Sequence, residues 1–463
     1  YTTTVQDDLT WSLPLTQSQL TALGNGELTV SASVTNVHGN TGSSSLDFTI
    51  DAQMPGLRID TVAGDDVINI IEHGQNLIVS GTSTDLAAGS TVTVTINGKD
   101  YSASVLADGT WQAAVPAADV SQWADGSLTI SASAQDTSGN PVTIGTVVDV
   151  DLSPVAISIN SVTADNVLNA AEKGEDLVLS GTSANVEAGQ TVIVTLGGKT
   201  YTATVDANGD WTTTVPAADL SSLKDGDASV QVSVTNVNGN SASAGREYSV
   251  DTTAPTVTLN TISGDNILNA AEAAQDLTLS GISTAEAGQT VTVSLNGQDY
   301  TATVGSDGNW TLNVPAADLA ALSDGSVTVT ASVSDKAGNP ASVDHNLTVD
   351  MTVPQVTIST IAGDDVINIA EHAQAQIISG IATGAAAGDT VSVSVGGKSY
   401  TATVGSDLTW SVTISSADLK AFGDGSLTFT ASVTNAHGNT GSGERDININ
   451  AELPGLRVNT ISG

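Results

Sequence analysis

The stretch VDTTAPTVTLNTISGDNILNAAEA, Val250–Ala273, decides how this chain is read. A proline-bounded entry leads into an alternating run. The run ends in a cluster of Asp265, Asn266, Asn269 and Glu272. Near-copies start at Ile50 (IDAQMPGLRIDTVAGDDVINIIEH), Val150 (VDLSPVAISINSVTADNVLNAAEK) and Val349 (VDMTVPQVTISTIAGDDVINIAEH). A segment that returns about every hundred residues marks a tandem array of similar units.

Other residues keep the same period. Trp11, Trp111, Trp211, Trp310 and Trp410 recur, and Asp51, Asp151, Asp251 and Asp350 open successive copies. Asn450 takes the fifth opening place. The expected domains are therefore 51–150, 151–250, 251–349 and 350–449. Residues 1–50 read as the C-terminal half of a repeat and 450–463 as the start of a further one. The chain opens in mid-repeat without a signal peptide, so it reads as a piece of a longer array.

Residues 251–349 show the pattern inside one unit. Period-two alternation predicts strands over 256–262, 276–280, 290–295, 299–304, 310–314, 326–334 and 342–349. Asn296-Gly297 suits a two-residue hairpin turn, because both residues accept positive φ. Residues 315–322 (PAADLAAL) read as one helical turn. Seven short strands in such a length predict an all-β, immunoglobulin-like sandwich, repeated in a linear rod. One tryptophan per unit on an alternating strand predicts a core anchor, with a sugar-stacking platform as the minority alternative. Tyr101, Tyr201, Tyr300 and Tyr400 read as packing residues.

The chain has 463 residues, 50 Asp+Glu against 11 Lys+Arg, and a formal net charge of −39. Such a charge repels nucleic acid and anionic membrane surfaces and favours cations. It also keeps a long exposed protein dispersed. There is no cysteine, so large cores or bound metal must replace disulfides. No stretch approaches the roughly 20 apolar residues of a membrane span.

Alternating strand directions then place the acidic cluster. The loop after the first strand and the end of the last strand fall at one end of a unit. There the next unit presents the loop before its own last strand, with Asn435 and Asn439 in the final copy. Three segments distant in sequence should meet at each junction and supply carboxylate and amide oxygens. Ca²⁺ takes six to eight oxygen ligands of these kinds. Zinc wants His or Cys, and the five histidines do not recur at one place in every unit. The alternative is that Asp, Asn and Gly here make turns and caps. No stretch follows EF-hand or nonapeptide calcium-repeat spacing.

The order VDTTAP, GDNILNAAE, NGxxYTATV, W-x-x-x-VPAADL and DKAGN resembles the bacterial Ig-like repeats of giant non-fimbrial and biofilm-associated adhesins, over essentially the whole chain. The resemblance implies type I secretion, display at the bacterial surface, and calcium at the domain junctions that stiffens the array. Carried over by position, the implied metal ligands are Asp65, Asp66 and Glu72 with Asp151; Asp165, Asn166 and Glu172 with Asp251; and Asp265, Asn266 and Glu272 with Asp350. Asp364, Asp365 and Glu371 form the last set, where Asn450 replaces the opening aspartate. The loop before the last strand adds Asp136 and Asp335 in two units, against Asn36, Asn236 and Asn435 in the others. The junctions therefore need not bind equally.

The first functional reading is a structural extender of a secreted adhesin. Its partners are the neighbouring repeats, with a distal domain contacting a host or bacterial surface. Glycan or protein binding by the repeats themselves is the second reading. Sharply differing loops would favour it, and the loops here are rather uniform. An enzyme ranks last, because no nucleophile–His–acid set or phosphate-cradling glycine loop stands out.

Overall fold

The structure, a computed structural model, describes residues 1–457. Residues 458–463, part of the expected further repeat, lie outside the described residues, and 451–457 add no strand. The chain divides into two compact units. One comprises Tyr1–Asn166, Asp176–Leu223 and Asp227–Ser249. The other comprises Val167–Glu175, Lys224–Gly226 and everything from Val250 on.

In the second unit, residues 251–349 build two sheets. Thr290–Leu295 and Gln298–Thr303 form a hairpin, and Gly325–Ser334 and Pro340–Asp350 extend it. Leu277–Ile282 pairs antiparallel with Asn309–Val314 in the smaller sheet. The helical turn is Ala316–Leu319. The turn residues Asn296 and Gly297 have φ of 50° and 79°, which those residue types tolerate. Alternation turns Val291, Val293 and Leu295 inward, where they meet Leu279, Trp310, Val329 and Leu347 in one core. The cores of 51–150 and 350–449 are built alike. These repeats are all-β immunoglobulin-like sandwiches, as the alternation predicts.

Trp310 is the core anchor, only 2 % exposed, and it pairs across the small sheet with Gly281. A Cβ on Gly281 would fall 2.7 Å from Trp310 Cζ2 and closer still to the Thr258 carbonyl oxygen. The indole ring occupies the space that a side chain would need. Trp111, Trp211 and Trp410 are equally buried, so none of the four offers a stacking platform. The tyrosines do more than pack. Tyr201 and Tyr300 each donate to Asp219 and Asp318 of the helical turn at 2.9 Å, and Tyr101 reaches Asp119 at 3.2 Å. Burial and the Asp219 carboxylate push the Tyr201 phenol up to about 12.

One element escapes the alternation. The expected first strand, 256–262, reduces to a single bridge, Val257 with Ser283, in this repeat. The chain then leaves the small sheet, and Ile267–Asn269 pairs parallel with the end of the last strand. The register is Ile267 with Thr348, Leu268 with Val349, and Asn269 with Asp350. Val67–Ile68 and Val366–Asn368 do the same in their repeats. Two or three residues carry no readable period, so the sequence shows this segment only as loop. Its apolar residue, Leu268 here, plugs the end of the core.

Residues 1–50 contribute a helix, Gln17–Leu23, and a hairpin of Gly26–Thr35 with Thr41–Ile50. None of their side chains is buried, and Trp11 is 50 % exposed. Amides of this hairpin should exchange with deuterium well before those of Gly126–Gln135 and Pro141–Val150, whose side chains line a full core. Equal protection would contradict that ranking. Gly281→Ala should destabilise its repeat by about 1–3 kcal/mol through overpacking. Chemical denaturation checks this, and an unchanged midpoint would show that the ring moves aside freely.

Candidate functional site at the repeat junctions

The acidic loop is built largely by its own side chains. Asp66, Asn166, Asn266 and Asp365 have φ between 59° and 67°. Asp and Asn enter that left-handed region more readily than other side chains. Each turns its Oδ1 back to accept the N–H four residues earlier, from Val62, Val162, Ile262 and Ile361, at 2.8–3.2 Å. The preceding residues Asp65, Asp265 and Asp364 accept the N–H two residues on, at 2.9–3.1 Å, and Asp165 accepts from the Thr163 hydroxyl at 3.0 Å. Glu72, Glu172, Glu272 and Glu371 each use Oε2 to accept the N–H of Asn69, Asn169, Asn269 and Asn368. Those asparagines accept the glutamate N–H in return, which is a capping box. Turn and cap chemistry thus accounts for one oxygen of each expected ligand.

The left-handed residue is also tied sideways. Arg445 on the last strand pairs with Asp365, Nη2 to Oδ2 at 2.5 Å, and holds that carboxyl below its usual range. His345 Nε2 lies 2.7 Å from Asn266 Oδ1, and Arg246 Nε donates to Asn166 at 3.2 Å. These partners lie in the same repeat as the loop they hold. Asp66, Asn166, Asn266 and Asp365 therefore lock the loop to its own repeat, and none of them hydrogen-bonds to a linker aspartate.

The linker is gripped elsewhere. Pairing of the short parallel strand fixes the opening aspartate, with Asp151 N–H on the Ile68 carbonyl and Asp251 N–H on Leu168. From the other side comes the loop before the last strand, in the copies 136–140, 236–240, 335–339 and 435–439. Its last asparagine uses both halves of its amide. Asn339 Nδ2 donates to the Asp251 carbonyl at 2.9 Å, while its Oδ1 accepts the Ala170 N–H at 2.9 Å. Asn240 joins the Asp151 carbonyl and Ile70 N–H in the same way, and Asn439 joins the Asp350 carbonyl and Ala270 N–H. All three asparagines are almost fully buried. One side chain thus bonds the linker to the capped turn of the preceding copy.

The linker carboxylates differ in their company. Asp151 Oδ2 accepts from Asn238 at 2.7 Å and Asn240 at 3.1 Å. Asp350 Oδ2 accepts from Asn435 at 3.0 Å and lies 2.8 Å from His437 Nδ1. Asp51 Oδ2 accepts from Ser138 at 2.9 Å. At 251 the loop supplies Asp335, itself buried, whose Oδ2 shares the Asn339 amide with the Asp251 carbonyl. Asp136 has the same bond to Asn140.

A further segment was not foreseen from the sequence. Asp125, Asp225, Asp324 and Asp424, in the loop before the penultimate strand, accept the N–H of Leu152, Thr252, Met351 and Ala451 at 2.7–3.1 Å. The recurring Asp-Gly there was the available signal. The expected meeting of linker, acidic loop and following loop is present as direct bonds. The expected convergence of three carboxylates is not: among the described residues, no group of three or more His, Asp or Glu is poised around one point. The linker also carries direct bonds of its own. At the 151 and 251 junctions the donors that meet are carboxylate, amide and peptide oxygens, a set that fits a hard cation such as Ca²⁺ better than zinc.

The family described as bacterial Ig-like domain matches residues 253–351. An adhesin described as Ca²⁺-stabilized, which helps an Antarctic bacterium reach out and bind ice, is 35% identical over 86% of this chain and 100% of its own, with a TM-score of 0.38. The chain belongs to the tandem bacterial Ig-like repeats of large adhesins. A tetra-tandem repeat from the extending region of a large adhesion protein is 30% identical over 86% of this chain and 100% of its own, with a TM-score of 0.34. Part of a 1.5-MDa bacterial ice-binding adhesin is 34% identical over 65% of this chain and 100% of its own, with a TM-score of 0.34. No curated protein sequence matches. In these adhesin repeats the asparagine bridge makes a direct prediction. Asn439→Ala orphans the Ala270 N–H and the Asp350 carbonyl, at about 1–3 kcal/mol for each group that stays dry. Exchange at the Ala270 amide should accelerate while the 350–449 core keeps its protection. Unchanged exchange at Ala270 would mean that the bridge holds nothing.

Proposed function

We propose that this chain is an extender segment of a bacterial surface adhesin, with repeats opening at Asp51, Asp151, Asp251 and Asp350 and with junctions stiffened by Ca²⁺. The observation that carries the proposal is the asparagine bridge, because it converts neighbouring repeats into mechanically coupled pairs. The extending-region relative and the Ca²⁺-stabilized relative support it. The proposal extends to export by a type I system, attachment of cells through a distal domain and a role in biofilms, as the resemblance to biofilm-associated adhesins implies. The burial of Trp111, Trp211, Trp310 and Trp410 supports a structural role over sugar stacking, and the net charge of −39 argues against nucleic acid or an anionic membrane as partner.

Calcium adds to the direct bonds. Asp350 and its equivalents, the second oxygen of Glu272 and its equivalents, and nearby peptide carbonyls would hold the ion. The ion would supply charge neutralisation and a shared ligand set that bending breaks. Magnesium, with its smaller octahedral shell and tightly held waters, should substitute poorly.

The chain has no cysteine, so Thr301→Cys with Thr401→Cys, both exposed, gives a specific spin-label pair in the second unit. Calcium should narrow the label–label distance distribution and chelation should broaden it, with strand content unchanged. Asp350→Ala should abolish the calcium response at this junction. Superimposable distributions in saturating calcium and in chelator, with metal removal verified, would sink the stiffening proposal.

A further inference from the structure

The loop before the last strand reads, copy by copy, Asp-Thr-Ser-Gly-Asn (136–140), Asn-Val-Asn-Gly-Asn (236–240), Asp-Lys-Ala-Gly-Asn (335–339) and Asn-Ala-His-Gly-Asn (435–439). Its last two residues, Gly-Asn, are uniform, and its first three positions vary. In three copies the third residue touches the linker carboxylate: Ser138 on Asp51, Asn238 on Asp151, His437 on Asp350. In the remaining copy it is Ala337, whose side chain has no polar atom to offer, although its carbonyl accepts from Asn169 Nδ2 at 2.9 Å. There Asp251 Oδ1 accepts the Thr253 N–H, and among the described residues no hydrogen bond reaches Oδ2. The first residue of that same loop is Asp335 rather than Asn, 8 % exposed, with both oxygens held by Asn339. None of the ion pairs among the described residues joins Lys336 to either carboxylate.

We infer that the first and third positions of this loop set cation occupancy junction by junction, so that the junction at Asp251 takes a divalent cation tightly and the junction at Asp350 takes it weakly. The inference rests on the calcium reading above. At 251, Asp335 adds a second carboxylate beside the linker, and the methyl of Ala337 leaves Asp251 Oδ2 free to coordinate. At 350, Asn435 removes that charge. His437 also places a ring nitrogen on the carboxylate oxygen that a hard cation would need. Calcium affinity follows the charge count and the oxygen character of its ligands. The acidic loop contributes a capping asparagine and its glutamate to both junctions, with Lys173 near Asp225 at 251 where the 350 junction has Ala273, and paired substitutions confined to the following loop isolate that loop's part.

The test is equilibrium calcium binding by the full chain in metal-depleted buffer, with spectroscopic confirmation that each variant keeps its strand content. Asn435→Asp with His437→Ala gives the 350 junction the chemistry of 251, and should add one ion to the tight class, moving that site at least about tenfold in affinity. The reverse pair, Asp335→Asn with Ala337→His, should remove one ion from the tight class. If one pair fails to fold, the other still decides. An unchanged tight class in a folded variant overturns this inference and leaves calcium stiffening intact, as does a wild-type chain whose junctions all bind alike. A wild-type chain that binds no calcium overturns the calcium reading itself.

Discussion

Everything at the junctions depends on one buried amide. An asparagine side chain is among the few groups that offer a donor and an acceptor side by side without charge. At Asn339 the donor faces the carbonyl of the linker aspartate, and the acceptor faces the first free N–H of the preceding capped turn. An aspartate there would set a charge against the Asp251 carbonyl. A leucine would strand three polar groups away from water, each at a cost of about 1–3 kcal/mol. The rest of the junction exists to bring these groups together: the parallel strand that fixes Asp251, the capping box that orients Ala170, and the turn that aims the amide.

The charge of the chain is accommodated in the same currency of short polar bonds. Many carboxylates have a hydroxyl or N–H two residues away. Asp108 and Asp407 are held below their ordinary range by Thr110 and Thr409, and Asp307 by Asn309. Asp151 is held down first by Asn238. Burial pushes Asp350 up, but His437, the Thr352 N–H and Asn435 together leave it below the ordinary value. A carboxylate lowered on folding contributes stability that is complete above its unfolded pKa. That contribution is lost as pH falls through the folded value. The acidic composition is thus compatible with a neutral or alkaline medium and becomes a weakness only in acid.

How much of this was legible depended on period. Strands such as 290–295 and 310–314 carry enough alternating residues to be placed within a residue of their observed ends. Ile267–Asn269 is too short to show any period, and its parallel pairing comes from tertiary contact alone. The acidic cluster was legible as chemistry and ambiguous as purpose. Asp and Asn serve metal ions, left-handed turns and caps with the same atoms, and sequence does not say which oxygen is already engaged. Position-by-position carry-over therefore set Asp66, Asn266 and Asp365 beside the linker, where the structure gives them to their own loop and to the last strand. The meeting of segments was legible because strand direction alone fixes which loops share an end.

The repeats also show which constraint the sequence keeps when its length changes. Residues 251–349 are one residue shorter than the preceding copy, and the missing residue falls in the loop Ser283–Gly288, against Ser183–Gly189. The bridging amide and its linker carbonyl stand 89 residues apart at 151, 88 at 251 and 89 at 350, yet the bond stays between 2.9 and 3.0 Å. Sequence spacing is therefore not what is held constant. The deletion is absorbed in a loop that lies outside the asparagine bridge itself, so the strands on either side keep their register and deliver the same atoms. Glu187 and Glu286 flank the two versions of that loop, and each accepts an N–H from the following one, at Val237 and Lys336. The support beneath the bridge is thus rebuilt despite the missing residue. A chain that preserves an amide bridge through a change of length while varying the residues beside it has separated two tasks. The asparagine couples one repeat to the next, and the variable positions are left to decide what each junction binds.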